Sequence, residues 1–253
     1  MKFGFDNSYV FLNGNKHGLI TNLSTDAFTS EDFTILANIS PDYDKMDELL
    51  KDNNWVHQMI VGKNGKHIGL CFTGFVDDSK NIHYHLSFEW WQNPSKEENK
   101  NPDQDEVQSI QIKLERDEKN IPVKLVKFNN KFELNVNDSV KTKQYTNIID
   151  YSTSFLWLGC ANRIHKTLEE TKEFGSIYYG SINKIHIQEG LLLTKDVELF
   201  YSDFETFCHF FGTNNGVKAY FSSDFSQISL YKIKDHSNNG NHALLFSSEW
   251  LDL

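Results

Sequence analysis

The sequence predicts an all-β protein: a two-sheet antiparallel β-sandwich of the jelly-roll type with one or two short helices. Three observations support this class. Short runs rich in β-branched and aromatic residues follow one another along the 253-residue chain. The segments between them are rich in Asn, Asp and Gly, and pairs such as Asn64-Gly65 and Asn239-Gly240 favour tight turns. Helical periodicity is confined to a few short segments.

The elements divide the chain as follows. The predicted strands cover residues 2–6, 9–12, 32–39, 56–61, 68–75, 82–90, 107–114, 123–128, 132–136, 155–158, 181–188, 218–221, 229–232 and 243–246. Helices are expected at 42–51 and 194–201, and the charged stretch 97–106 is typical of a solvated loop. We expect one sandwich domain over residues 1–201. Residues 202–253 are expected to form a C-terminal extension that packs their many aromatic rings on the sandwich.

The charge balance argues against two classes of partner. With 25 basic and 35 acidic side chains the formal net charge is −10, whereas nucleic acid backbones and anionic membranes reward a basic surface. The N-terminal residues lack the apolar run of a secretory signal, and no stretch of 18 apolar residues occurs. We therefore expect a soluble protein, cytoplasmic or virion-associated, that neither binds nucleic acid nor inserts into a membrane.

The cysteines argue against a disulfide framework. Cys71, Cys160 and Cys208 are an odd number and show no CxxC spacing. Cys71 and Cys160 lie inside apolar strand patterns, where a reduced and buried thiol is expected.

Six segments occur in the order expected of a known superfamily: FGFDNSYVFL at 3–12, DFTILANI at 32–39, HQMIVGK at 57–63, FNNKFELNVND at 128–138, FLWLG at 155–159 with FGSIYYGSINKIHI at 174–187, and the helix at 193–201. The pattern resembles the concanavalin A-like lectin/glucanase superfamily, in its laminin G-like jelly-roll branch. The resemblance covers residues 1–201. It implies two curved antiparallel sheets that most often bind a glycan or a protein ligand, sometimes with calcium. The Glu-x-Asp-x-x-Glu catalytic strand of the glucanase members is absent.

One predicted strand carries a face suited to a sugar. Successive side chains of a strand point to opposite faces, so residues 82–91 place an apolar set on one side. The other side carries His83, His85, Glu89 and Trp91. Saccharide recognition uses flat rings against the C–H face of a pyranose and polar groups for its hydroxyls. The same mixture occurs on ordinary solvated sheets, and the sequence leaves both interpretations open.

Neighbouring strands extend this face. Gln111 lies on the outward side of residues 107–115, and Gln58 comes from the strand at 56–61. Strand order cannot be read from one sequence, so the adjacency of these strands is a hypothesis. The predicted glycan-binding residues are His83, His85, Glu89, Trp91, Gln111 and Gln58.

The sequence indicates a metal site less clearly than a sugar-binding face. His83 and His85 project in the same direction and can chelate Zn²⁺, but no third ligand is indicated. Calcium prefers oxygen ligands, and Asp77, Asp78 and Asn162 lie in predicted loops near strand ends. Loop Asp and Asn are also ordinary turn formers. Calcium is therefore the one cofactor that the sequence leaves open.

The function expected from these residues is non-catalytic binding of a glycan or polysaccharide. A structural or adhesion protein of a phage or virus, forming a homo-oligomer or joining a virion, is the first alternative. A polysaccharide-degrading hydrolase or lyase is the second, with Glu89 as the acid and Glu133 as a candidate partner. An accessory protein in surface-glycan synthesis is the third.

Overall fold

The computed structural model describes residues 10–12, 17–24, 32–63, 68–92, 106–145, 155–159, 161–162, 174–175, 178–211, 217–222, 232–233 and 243–247. One antiparallel sheet has seven strands in the spatial order β1 (Val10–Leu12), β14 (Gly180–Glu189), β3 (Phe33–Pro41), β8 (Ile121–Phe128), β9 (Lys131–Val136) and β10 (Ser139–Gln144), with β15 (Val217–Ser222) also paired to β14.

A second antiparallel sheet has eight strands. Their spatial order is β16 (Lys232–Ile233), β17 (Ala243–Ser247), β2 (His17–Ser24), β11 (Phe155–Leu158), β4 (Trp55–Lys63), β5 (Gly69–Val76), β6 (Ile82–Gln92) and β7 (Glu106–Leu114). Two short strands, β12 (Ala161–Asn162) and β13 (Phe174–Gly175), pair with each other. The predicted fold class, a two-sheet antiparallel β-sandwich, is confirmed.

The two sheets pack face to face over one apolar core. Strand β9 shows why, because its side chains alternate strictly and bury Phe132, Leu134 and Val136 on one face. The Phe132 ring lies 4.7 Å from the ring of Phe88 and 4.8 Å from that of Trp90, both on β6 of the other sheet. Aromatic rings from both sheets therefore meet directly at the centre of the sandwich.

Helix α1 (Tyr43–Leu50) packs onto this core, as the pattern at 42–51 predicts. Its N-terminus is capped by Asp42, whose carboxylate accepts a hydrogen bond of 2.9 Å from the backbone N–H of Lys45. Tyr43, Met46 and Leu50 recur at helical spacing and are buried in the main core.

Helices α2 (Thr194–Ser202) and α3 (Phe204–Phe211) cover the outer face of the seven-stranded sheet. Phe200, Phe204 and Phe207 form a buried cluster with Leu36 of β3. The described residues thus contain three short helices, whereas one or two were expected. Asp203 explains its start, because its carboxylate accepts a 3.0 Å hydrogen bond from the N–H of Thr206. None of the helices described is both long and apolar enough to cross a bilayer.

The C-terminal residues contribute strands to both sheets. Strand β15 pairs with β14 in the seven-stranded sheet, and β17 pairs with β2 in the eight-stranded sheet. The boundary of the predicted extension at residue 201 stays a prediction.

Two edge strands lie side by side at one margin of the sandwich. Strand β10 ends the seven-stranded sheet, and all six of its residues are exposed. Strand β7 ends the other sheet. Lys143 of β10 links them, because its Nζ donates a hydrogen bond of 3.3 Å to the backbone carbonyl of Ser109.

Candidate functional site

The predicted polar row lies on the outer face of the eight-stranded sheet, which is the face turned away from the core. The register places His57 of β4, Thr73 of β5, His85 of β6 and Lys113 of β7 opposite one another. The next row toward the other end joins Met59, Cys71, Ser87 and Gln111. Strands β4 to β7 are therefore neighbours in the order that the predicted strip requires.

Most of the predicted ligand residues share this outer face. His83 and His85 are half-buried, Glu89 is buried and Gln111 is exposed. Trp91 pairs with Val107 of β7, and its side chain lies outside the described part of the structure.

Gln58 is not brought to this face. It pairs with Phe72 and points to the core side, where it is 1% exposed. Its Oε1 accepts a hydrogen bond of 3.1 Å from the backbone N–H of Tyr179. The Gln58 carbonyl oxygen therefore accepts from a backbone donor inside the protein, away from the outer face.

Aromatic rings form a layer at one end of the outer face. Trp55 is 56% exposed, and its ring stacks on His57 at 5.4 Å between centroids. Phe75 stacks on both predicted imidazoles, at 4.9 Å from His83 and 5.3 Å from His85. Trp55 and Phe75 are absent from the predicted set, although Trp55 alternates with His57 and Met59 on the same strand.

The two imidazoles differ in their surroundings. Burial lowers the pKa of His85 below its ordinary value, and the nearby charges of His83, Lys141 and Lys113 lower it further. His85 is therefore a neutral ring at pH 7, with one hydrogen-bond donor and one acceptor. His83 is held by its Nε2, which lies 2.8 Å from Oδ2 of Asp77.

The three residues predicted to bind calcium lie in different surroundings. The hydrogen bond with His83 and the one from the N–H of Asn81, at 2.8 Å, lower the pKa of Asp77 to about 2. Asp77 thus fixes the turn between β5 and β6. Asp78 is exposed in that turn, and Asn162 lies in β12 with a side chain outside the described residues. Calcium at these residues stays a prediction.

Glu89 lies on the expected outer face of the sheet, but its side chain is buried. It is 6% exposed, its Oε2 lies 3.2 Å from Nε2 of His57, and its Oε1 accepts a hydrogen bond of 3.1 Å from the Ser87 hydroxyl. Cys71 lies beside this pair and is fully buried. Burial, with a smaller effect of Glu89, raises the pKa of the Cys71 thiol well above its ordinary value.

Glycines on β4 and β5 make room for a large side chain on this part of the outer face. A Cβ atom built on Gly69 would lie 2.3 Å from Sδ of Met59, and one on Gly62 would lie 2.5 Å from the same atom. The Met59 side chain therefore occupies the space that these glycines leave. It is itself fully buried and lies next to Cys71, whose Sγ is 3.7 Å from the Met59 sulfur.

The two carboxylates considered for catalysis are not together. Glu133 is on β9 of the other sheet, where its Oε1 accepts a 3.0 Å hydrogen bond from Asn135 and lies 3.6 Å from Nζ of Lys124. It faces away from the core because its neighbours Phe132 and Leu134 are the buried residues of that strand. Glu89 and Glu133 therefore lie on opposite outer faces of the sandwich.

Comparison with known proteins finds two solved structures that align with the chain at low scores. No protein-family model matches the chain. No curated protein matches it either. The enzymatically active domain of tailspike protein 2 from bacteriophage CBA120 aligns with a TM-score of 0.47 and 13% identity, over 86% of this chain and 30% of that one. The native heptameric SAP-like pentraxin from Limulus polyphemus aligns with a TM-score of 0.41 and 13% identity, over 97% and 96%.

These scores do not assign the chain to a family. This chain also spans less than a third of the tailspike chain, as the 30% coverage states. The two antiparallel sheets agree with the sandwich that the resemblance implies, and membership of the concanavalin A-like superfamily stays a prediction.

Proposed function

We propose that the protein binds a carbohydrate on the outer face of the eight-stranded sheet and leaves it chemically unchanged. The observation that carries this proposal is the exposed ring of Trp55 beside the stacked layer of Phe75, His83 and His85. The exposed aromatic ring offers a flat apolar surface to the C–H face of a pyranose.

Polar groups next to the rings supply the directional contacts. His85 is a neutral, half-buried ring, and Gln111 is an exposed amide two strand positions away along the face. Lys113 lies opposite His85 and is also exposed. Such a mixture suits the hydroxyl groups of an uncharged or acidic glycan.

The position of Glu89 supports binding rather than hydrolysis. A glycosidase needs two carboxyl groups facing the same bond, at roughly 5–10 Å from each other. Glu89 is engaged with His57 and Ser87, and Glu133 lies on the other sheet. Glu89 and Glu133 are therefore not placed as a pair beside the exposed rings.

Replacing Trp55 with alanine is expected to weaken glycan retention by roughly 30-fold or more, the size of effect seen for an aromatic anchor at a binding site. His85→Ala should weaken it as well, and Trp91→Ala tests the remaining predicted ring. The measurement is binding of the purified full chain to a glycan array, followed by titration of the best ligand.

Phe210→Ala is the matched control. Phe210 is an exposed aromatic residue, 66% accessible, on α3 at the opposite side of the sandwich. Its substitution should leave retention unchanged. Equal retention by the wild type, Trp55→Ala and His85→Ala would exclude this face as the binding surface.

A further inference from the structure

Three side chains with metal-binding atoms converge under the outer face. They are His57 on β4, Cys71 on β5 and Glu89 on β6, which are adjacent strands. Their donor atoms all lie within 4.8 Å of one another, and in the described part of the chain no other His, Cys, Asp or Glu group of three meets this condition. We propose that His57, Cys71 and Glu89 bind a divalent transition metal ion of the zinc type.

The donor set selects this class of ion. Zinc binds thiolate, imidazole and carboxylate at about 2.0–2.3 Å, with three protein ligands in sites that keep a fourth position open. Two donors at those bond lengths and a tetrahedral angle lie about 3.3–3.8 Å apart. The 3.2 Å between Nε2 of His57 and Oε2 of Glu89 is close to that spacing. A sulfur ligand excludes calcium and magnesium, which take oxygen.

Neighbouring side chains already orient two of the three ligands. The Ser87 hydroxyl donates to Oε1 of Glu89 and leaves Oε2 on the side of His57. The Trp55 ring stacks on the imidazole of His57 and limits its rotation. Metal sites characteristically have such supporting contacts around their ligands.

A bound ion would neutralise the negative charge of these buried ligands. Cys71 is 0% exposed, and His57 and Glu89 are 8% and 6% exposed, so all three ligands are buried. A buried carboxylate is expensive unless it is compensated. The ion displaces the proton of the Cys71 thiol into solvent, and the negative charges of the resulting thiolate and of the Glu89 carboxylate then match the charge of a divalent cation. The ion would also tie β4, β5 and β6 together beneath the aromatic rings.

The test is a titration of the EDTA-treated full chain with Co²⁺ as the metal alone. The expected result is saturation at one equivalent with a thiolate-to-cobalt charge-transfer band, which Zn²⁺ then abolishes. Cys71→Ser should lose the band. His57→Asn and Glu89→Gln should weaken the ion's affinity by more than about 100-fold, since loss of a supporting contact alone costs roughly 10–100-fold. Ser87→Ala should fall in that lower range.

The other two cysteines provide the matched control. Cys160→Ser and Cys208→Ser should keep the band at full intensity. Absence of saturable binding to the wild type would overturn the proposal without any variant. A band that persists in Cys71→Ser would overturn it too. Circular dichroism of each variant separates loss of a ligand from loss of the fold, and the glycan array is independent of this result.

Discussion

Replacing Phe132 with alanine is expected to lower the free energy of unfolding by about 3–5 kcal/mol. The side chain is fully buried on β9. Its ring contacts those of Phe88 and Trp90 on the opposite sheet and that of Phe33 on its own, the last at 6.3 Å. Truncation therefore removes apolar contact and leaves a cavity where the two sheets meet.

Chemical denaturation followed by tryptophan fluorescence and circular dichroism measures this loss. Val140→Ala is a suitable control, because Val140 lies on the adjacent strand β10 and is 57% exposed. Its effect should stay within about 0.5 kcal/mol. Equal losses in the two variants would contradict a central position of Phe132 between the sheets.

Acid is expected to destabilise the fold between about pH 6.5 and pH 4 through His186. Burial lowers the pKa of His186 from its ordinary 6.5 to about 4, although the Oε1 of Gln188, 3.1 Å from its Nε2, favours the charged ring. The ring lies 4.9 Å from that of Phe207, in the layer between β14 and α3. The histidine is therefore neutral in the folded state at pH 7.

The sign follows from proton binding in the two states. The unfolded chain takes up a proton near pH 6.5, and the folded chain only near pH 4. The folded state therefore keeps its full stability with respect to His186 above pH 6.5. It loses stability relative to the unfolded chain as the pH falls toward 4. The difference between the two pKa values corresponds to about 3 kcal/mol in the free energy of unfolding.

The measurement compares wild type and His186→Gln by chemical denaturation at pH 7 and pH 4.5. Contributions of the carboxylates are common to both proteins and cancel in the difference. The variant should lose less stability on acidification than the wild type. A wild-type-to-variant difference that is independent of pH would show that His186 does not titrate in this way.

Local alternation was enough to predict much of the sheet structure. Residues 82–90 follow a strict two-residue period, so the sequence predicts correctly which side of β6 faces the core and which carries His83, His85 and Glu89. Helix α1 was predictable for a similar reason, since an N-cap Asp precedes apolar residues at helical spacing. Strand β10 has six exposed residues, so it has no apolar pattern from which it could be predicted.

Contacts between distant strands set the limit of prediction. The bulge in β4 between Met59 and Val61 changes the register with β5, and Gln58 finds its partner in the backbone of Tyr179. Neither can be read from the strand's own residues. The meeting of His57, Cys71 and Glu89 likewise depends on three strands and on glycines that make room for Met59.

The lysines of β10 have a consequence for self-association. An exposed edge strand offers unpaired backbone groups to another molecule. Lys141 and Lys143 stand on this edge, and Lys143 also reaches the margin of the opposite sheet at Ser109. Two copies that joined edge to edge at β10 would place like charges on strands about 4.8 Å apart. This margin therefore resists growth into continuous intermolecular sheets, and the resistance should weaken when salt screens the ammonium groups.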